Sequence, residues 1–366
     1  MNKRLKVALV VIAVLAVAFT GCSSTVSYKD CLNDYVKTMD YEDGFTILQL
    51  TDIHWNPGTE VGDGEYGSEA YILKVVEEAK AHAGKIDLIE VTGDTFMLSN
   101  KFAVKSFIDF MEDLAIPYAM VWGNHDRQAE YSPNWLCEQF LNAPYCLYTE
   151  VDNDDVHERG NYVINLEDES GDVMWQLVQL DSGASYREGA GDMGLDYDFI
   201  RQDQLDWFKA EHDMVGADVP VICYYHVPQA DCNLAMEAIK NGDTGYKSMF
   251  FALEDFCPSE HAGFTSDFFA QNNVQGVFMG HDHNVDWTYT DPNGITYGYG
   301  VKTGTGMYYT NVTTDYEGAG FEIPEDFTLV GATLVTLDNS EGDFTLEHLY
   351  LNERDEGDFV LWVKYE

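Results

Sequence analysis

Five short runs of this chain share one pattern, an apolar stretch of strand length that ends abruptly in residues able to hold a metal ion. They read FTILQLTDIH, DLIEVTGD, YAMVWGNHD, VICYYHVP and GVFMGHDH. Hydrophobic runs of that length, rich in Val, Ile, Leu and Tyr, are what strands covered on both faces look like. In open α/β sheets the residues just past the carboxyl ends of such strands line the ligand crevice. The pattern therefore brings Asp52, His54, Asp94, Asn124, His125, His226, His281 and His283 to one sheet edge.

Counting donors points to two metal ions. Imidazole and carboxylate suit zinc, iron or manganese, and none of the donor clusters that end these runs offers the thiolates of a structural zinc site. One ion takes about four to six ligands, fewer than this set offers. Two ions roughly 3.5–4 Å apart use the set fully if one carboxylate bridges them. Asp94 is the expected bridge, because Gly93 lets the backbone come close. Water held between two divalent ions loses a proton near neutral pH, which provides a hydroxide nucleophile without a side-chain base. Phosphate esters need that help, since their anionic oxygens repel nucleophiles.

At these residues the chain resembles the calcineurin-like metallophosphoesterase superfamily. Its blocks stand here in order as Asp52-Ile53-His54, Gly93-Asp94, Gly123-Asn124-His125-Asp126, the lone His226, and Gly280-His281-Asp282-His283. The resemblance runs from about residue 45 to about residue 305. It implies that Asp52, His54, Asp94 and His283 hold one ion and that Asp94, Asn124, His226 and His281 hold the other. His125 would stand outside both shells, beside the leaving group. Leu180-Asp181-Ser182-Gly183, His226-Val227-Pro228 and Lys302-Thr303-Gly304 look like the bacterial and fungal relatives of purple acid phosphatases. The true purple enzymes have a glycine where His54 stands and an iron-binding tyrosine where Met97 stands. The departure implies an uncoloured divalent or mixed-valence pair of manganese, iron or zinc.

Each residue also has a plainer reading. Asn124 could cap the helix near Pro133 or favour a turn. Asp126 could be a turn residue, or could hydrogen-bond His125 and set its tautomer. His125 could donate a proton to the departing alkoxide or stabilise transition-state charge, and Asp282 would shape the turn between two ligands. Arg127 and Lys302 are candidate phosphate contacts. Trp55, Tyr66, Tyr131, Trp135, Tyr308 and Tyr309 could stack a ring of the substrate, or could simply pack.

The amino terminus indicates export. Lys3, Arg4 and Lys6 precede an apolar stretch over 7–19 that is too short to span a bilayer stably. Phe19-Thr20-Gly21-Cys22-Ser23 resembles a bacterial lipobox, so the expected layout is a signal peptide over 1–22 with a lipidated Cys22. A tether over 23–42 and a catalytic domain over 43–366 follow. That layout implies an extracytoplasmic, membrane-anchored lipoprotein. The net charge of −44 keeps such a protein soluble and repels polyanions. No basic track for nucleic acid is present, and the charge matches an acidic surface set by host or habitat. Cys31, Cys137, Cys146, Cys223, Cys232 and Cys257 permit fifteen disulfide connectivities. Cys223, inside an apolar strand, reads as a buried free thiol.

Along the chain, helical spacing of apolar residues covers 68–82, 101–114, 133–141 and 199–212. Further strands are expected at 173–180, 219–225, 274–279, 286–289, 294–299, 328–337, 344–350 and 359–364. Strands alternating with helices give an α/β class, and the resemblance implies a four-layer αββα sandwich of two mixed sheets. Stretches 58–67, 185–198 and 310–325 read as surface loops of the kind that set substrate choice. The expected function is hydrolysis of small phosphomonoesters by a dinuclear phosphoesterase, with no protein partner implied. A phosphodiesterase or nucleotide hydrolase, or a non-catalytic surface lipoprotein, are the alternatives.

Overall fold

The apolar runs assemble into two mixed sheets that face one another, with helices outside both. The computed structural model describes residues 35–366 except 57–59, 62–64, 152, 188–195, 305–310, 313–315, 317, 326 and 353–358. The expected signal segment, Cys22 and Cys31 lie outside the described residues, as do Tyr308 and Tyr309.

The six-stranded sheet runs β14-β13-β12-β2-β3-β4, where β2 is Phe45–Leu50, β3 Leu88–Thr92, β4 Tyr118–Val121, β12 Gly331–Leu337, β13 Phe344–Asn352 and β14 Phe359–Lys364. In it β2, β3 and β4 are parallel, so Asp52, Asp94 and the Gly123–Asp126 segment leave from the same edge. The eight-stranded sheet runs β1-β5-β6-β7-β9-β11-β10-β8. Its members are β1 Val36–Asp40, β5 Tyr162–Glu167, β6 Val173–Gln179, β7 Val221–Tyr224, β8 Lys247–Met249, β9 Val274–Met279, β10 Thr288–Thr290 and β11 Thr296–Tyr299. Here β6, β7 and β9 are parallel, and they bring the segments carrying Asp181, His226 and His281 to the same rim.

One apolar core spans both sheets and includes Ile47 and Ile89 from the first and Leu177, Ile222 and Phe278 from the second. Beneath the rim a polar layer ties the sheets together. Gln49 Nε2 donates to Thr92 Oγ1 at 2.8 Å and to the Met279 carbonyl at 3.0 Å, and Gln179 Nε2 donates to Glu90 Oε2 at 3.2 Å. Glu90 is fully buried, and that burial holds its carboxyl well above the usual range.

The helices follow the apolar spacing. Helix α1 (Ser68–Ala83) turns Tyr71, Ile72, Val75, Val76 and Ala79 inward and ends at Gly84, whose φ of 85° suits glycine. Helix α2 (Lys101–Leu114) is capped by Asn100, whose side chain accepts from the Phe102 and Ala103 amides. Helix α3 (Pro133–Leu141) is capped by Ser132, so Asn124 is not its cap. Helix α4 (Gln202–Val215) begins three residues later than the spacing suggests, because Gln204 Oε1 accepts from the Arg201 amide at 2.8 Å and fixes the start there. Helices α5 (Asp231–Lys240) and α6 (Ser266–Gln271) were not anticipated, and six residues are too few to reveal a period. Among the described residues no helix is long and apolar enough to cross a membrane.

The tether boundary at residue 42 needs correction. Val36–Asp40 pairs in parallel with β5 as an edge strand, from Val36 opposite Val163 to Asp40 opposite Glu167. Its sequence, VKTMD, lacks a continuous apolar run because an edge strand is only partly covered. Strand β5 was also missed.

Candidate metal centre

Strand ends deliver the ligands, and unusual backbone geometry aims them. Asp52, His54, Asp94 and His281 all have positive φ, at 50°, 44°, 49° and 88°. Non-glycine residues enter this region at a cost of about 1–3 kcal/mol each, and such strain concentrates at functional sites. Glycines provide the clearance. A Cβ on Gly93 would lie 2.4 Å from the His226 ring, and one on Gly280 would lie 2.0 Å from Thr51 Oγ1 and 2.6 Å from Asp52 Oδ2.

The result is two buried ligand groups that share one carboxylate. Asp52, His54, Asp94 and His283 form the first and Asp94, His226 and His281 the second, with the ligand atoms in each within 4.8 Å of one another. Asn124 joins the second group, its Oδ1 lying 3.0 Å from His281 Nδ1. In the first, the Nε2 atoms of His54 and His283 are 2.9 Å apart, and His283 Nε2 is 3.6 Å from Asp52 Oδ1. In the second, His226 Nε2 is 3.3 Å from Asp94 Oδ2. Every ligand named for the two ions is therefore brought together, with Asp94 between them.

The protonation chemistry fits cations. Burial, reinforced by Lys302, lowers His54 to about 2, and burial with the charge of His226 lowers His281 to about 3. Neutral imidazoles present lone pairs. His226 Nδ1 donates to the Thr92 carbonyl at 2.8 Å, which directs Nε2 at Asp94. Burial would lower His226, but the charge of Asp94 outweighs it and raises the group to about 10. A divalent cation competes with the proton for that lone pair. Asp94 Oδ2 and His226 Nε2 are both buried with no hydrogen bond to another group. Beyond each other, 3.3 Å apart, neither atom has a hydrogen-bond partner, and coordination would give each the one it lacks. The donor set and these buried atoms fit a pair of divalent ions.

Around this centre several expected roles change. Asp126 does not bond His125. Its Oδ1 accepts from the Phe96 amide at 2.8 Å and its Oδ2 from the Gly123 amide at 2.7 Å, so it braces the two ligand loops. His125, its side chain 26% exposed, instead places Nδ1 2.8 Å from Gln128 Oε1, while its amide donates to Asp94 Oδ1 at 2.8 Å. Arg127 is committed to Glu158 at 2.8 Å and Asp181 at 2.6 Å. Lys302 is buried and donates to the Asp52 carbonyl at 2.7 Å, and desolvation lowers it to about 8. Neither cation is a free phosphate contact. Asp282 does more than shape a turn: it accepts from the Tyr299 hydroxyl at 2.9 Å, and burial raises it to about 7. Trp55 and Tyr131 pack, donating to Ser106 and meeting Ser99 respectively, and Lys101 sits over the Trp135 ring. Cys137, Cys146, Cys223, Cys232 and Cys257 are free thiols, with Cys223 buried as expected.

Two residues at the centre escaped the sequence reading. Gln128 stands three residues after His125, within reach across one turn, and that spacing could have suggested it. Tyr197 sets its ring edge against His281, centroids 4.4 Å apart and planes at 86°. It arrives from a two-stranded hairpin, Ser185–Tyr186 with Asp196–Tyr197, inside a stretch that reads only as a loop. Burial, with the charges of Cys257, Asp282 and Asp94, raises its phenol above the ordinary tyrosine range.

Known proteins resemble this chain in sequence or in fold. A probable inactive purple acid phosphatase of Arabidopsis thaliana is 25% identical over 277 residues, covering 66% of this chain and 66% of its own. The chain thus spans about two thirds of that relative. The phosphatase DCR2 of Saccharomyces cerevisiae is 24% identical, covering 71% of this chain and 48% of its own. A probable cyclic nucleotide phosphodiesterase of Psychrobacter arcticus is 25% identical, covering 46% and 57%. The crystal structure of a dimetal phosphatase from Danio rerio has the same fold, with a TM-score of 0.53 and 15% identity over 89% of this chain and 100% of its own. A family match over residues 45–285 starts at the strand that leads to Asp52 and ends just past His283, enclosing both ligand groups, and the chain belongs to the calcineurin-like phosphoesterase family.

Proposed function

We propose that this protein hydrolyses small phosphomonoesters at a dinuclear centre of manganese, iron or zinc, bound by Asp52, His54, Asp94 and His283 on one side and Asp94, Asn124, His226 and His281 on the other. The observation that carries the reading is the sharing of Asp94 by two buried ligand groups. Bound ions would neutralise phosphate charge and acidify water. Hydrolysis breaks the P–O ester bond, joins a water oxygen to phosphorus and leaves an alkoxide that needs a proton or a compensating charge. His125, a quarter exposed and with Nε2 4.0 Å from Asp94 Oδ2, hydrogen-bonds the leaving oxygen from Nε2. Gln128 accepts from Nδ1 and holds the ring in that orientation, so Nε2 donates as part of the imidazolium, which supplies the proton or the charge that the alkoxide needs.

The net charge of −44 favours small substrates over polyanions. Three plant relatives are named probable inactive enzymes, and the complete ligand set of this chain supports catalysis over a binding role. A diester or cyclic nucleotide substrate is the second reading, favoured by the similarity to a probable cyclic nucleotide phosphodiesterase. We also place the enzyme outside the cytoplasm, anchored through a lipidated Cys22. Mass spectrometry of the membrane fraction tests this, since a mature N-terminus at any other residue contradicts it.

Initial rates of the metal-loaded protein on a chromogenic phosphomonoester and its diester analogue, with Asp94→Asn as control, test the activity. The expected result is metal-dependent monoester turnover that falls at least ~100-fold in the control. Faster diester turnover favours the second reading, and no turnover despite bound ions defeats both.

A further inference from the structure

The centre has a shortage of free positive charge. Arg127 is paired with two carboxylates, and Lys302 is buried against the Asp52 carbonyl. A phosphoryl group presents three oxygens beside its leaving group, and those that the ions leave free need donors from the protein. His125 stands beside His54, ring centroids 5.5 Å apart, and so serves the first ligand group. The second group has Tyr197 at the matching place, against His281.

Tyr197 is held firmly. Its amide donates to Asp196 Oδ1 at 2.9 Å, and Asp196 Oδ2 accepts from Ser259 Oγ at 2.8 Å and the Glu260 amide at 3.1 Å. On the other side, Asp198 accepts from the Phe199 amide and lies against Gly183, where an added Cβ would come within 2.7 Å of the Asp198 Cβ. Pinned aspartates thus bracket the tyrosine. Its side chain is only partly buried, and its hydroxyl makes no hydrogen bond among the described residues. A fixed phenol packed on a metal ligand, within reach of the charge of Asp94 and with a hydroxyl that no described residue engages, is a preorganised hydrogen-bond partner.

Building on the phosphoesterase reading, we infer that Tyr197 contacts the substrate, its hydroxyl donating to a phosphoryl oxygen on the His226–His281 side. A neutral donor takes the place that a guanidinium would otherwise fill.

The test uses the metal-loaded protein with inorganic phosphate as the probe. Calorimetry on Tyr197→Phe, which keeps the ring against His281, should show phosphate affinity about 10- to 100-fold weaker than in the parent, with unchanged metal content. The kcat/KM for a phosphomonoester should fall by a similar factor. Parent-like phosphate affinity in Tyr197→Phe overturns the assignment. So does a pattern in which Tyr197→Phe behaves as the parent while Tyr197→Ala loses metal, since the ring alone would then matter. If the parent neither binds phosphate nor turns over any ester, the phosphoesterase reading itself fails.

Discussion

Glu90 should make this protein less stable as pH rises, and replacing it should remove that dependence. It stands in β3, four residues before the shared ligand Asp94, with no exposed surface. Its Oε2 accepts from Gln179 and its Oε1 makes no hydrogen bond. Burial therefore raises its carboxyl well above the ordinary value of 4.5. The unfolded chain releases this proton above pH 4.5 while the native state keeps it, so the native state binds more protons. Stability is then greatest below 4.5 and declines through the window up to the native value, by about 1.4 kcal/mol per pH unit. At ~2.1 cal/mol/K of unfolding entropy per residue over ~330 residues, each pH unit inside that window is about 2 °C of Tm. Glu90→Gln cannot titrate, and other groups behave alike in both proteins. The difference in Tm between variant and parent, measured at pH 5, 6 and 7 by thermal melts, should thus grow with pH in the variant's favour, by about 2 °C per unit inside the window. Turnover at a given pH should be unchanged, because the side chain lies in the layer beneath the rim. A difference that stays constant with pH would show that Glu90 is ionised in the native state and would refute the argument.

Gly280→Ala should weaken metal binding without unfolding the protein. The added Cβ would displace Thr51 Oγ1, which now donates to Asp52 Oδ2 at 2.7 Å and steadies a ligand. A loss of about 10- to 100-fold in metal affinity is expected by titration calorimetry, and parent-like affinity would contradict the role given to this contact. Arg127→Met leaves Asp181, 1% exposed, without its cation and should cost about 3 kcal/mol in urea unfolding. Adding Asp181→Asn should restore part of that loss, and an unchanged midpoint in the single variant would show the pair to be neutral.

The amino-acid sequence by itself determined which metal ligands meet at the centre. Ligand identity is written locally, as a run of apolar residues with a donor at its end, and parallel strands bring such ends to one rim whatever lies between them. The long helices α1, α2 and α3 were legible for a similar reason, since each carries its own apolar period and, for α2 and α3, its own cap. Edge strand β1 and the short α6 were not, because an edge strand has no buried run and six residues contain no period. Tertiary structure alone decided the roles of the residues around the ligands. Asp126 sits next to His125 in the chain, yet its oxygens go to the Phe96 and Gly123 amides. Arg127 and Lys302 looked available until packing brought Asp181, 54 residues away, and the Asp52 carbonyl, 250 residues away, against them. Tyr197 meets His281 only because its hairpin is pinned across the rim. The partner of a polar or charged side chain depends on what the fold packs opposite it, and no local pattern records that.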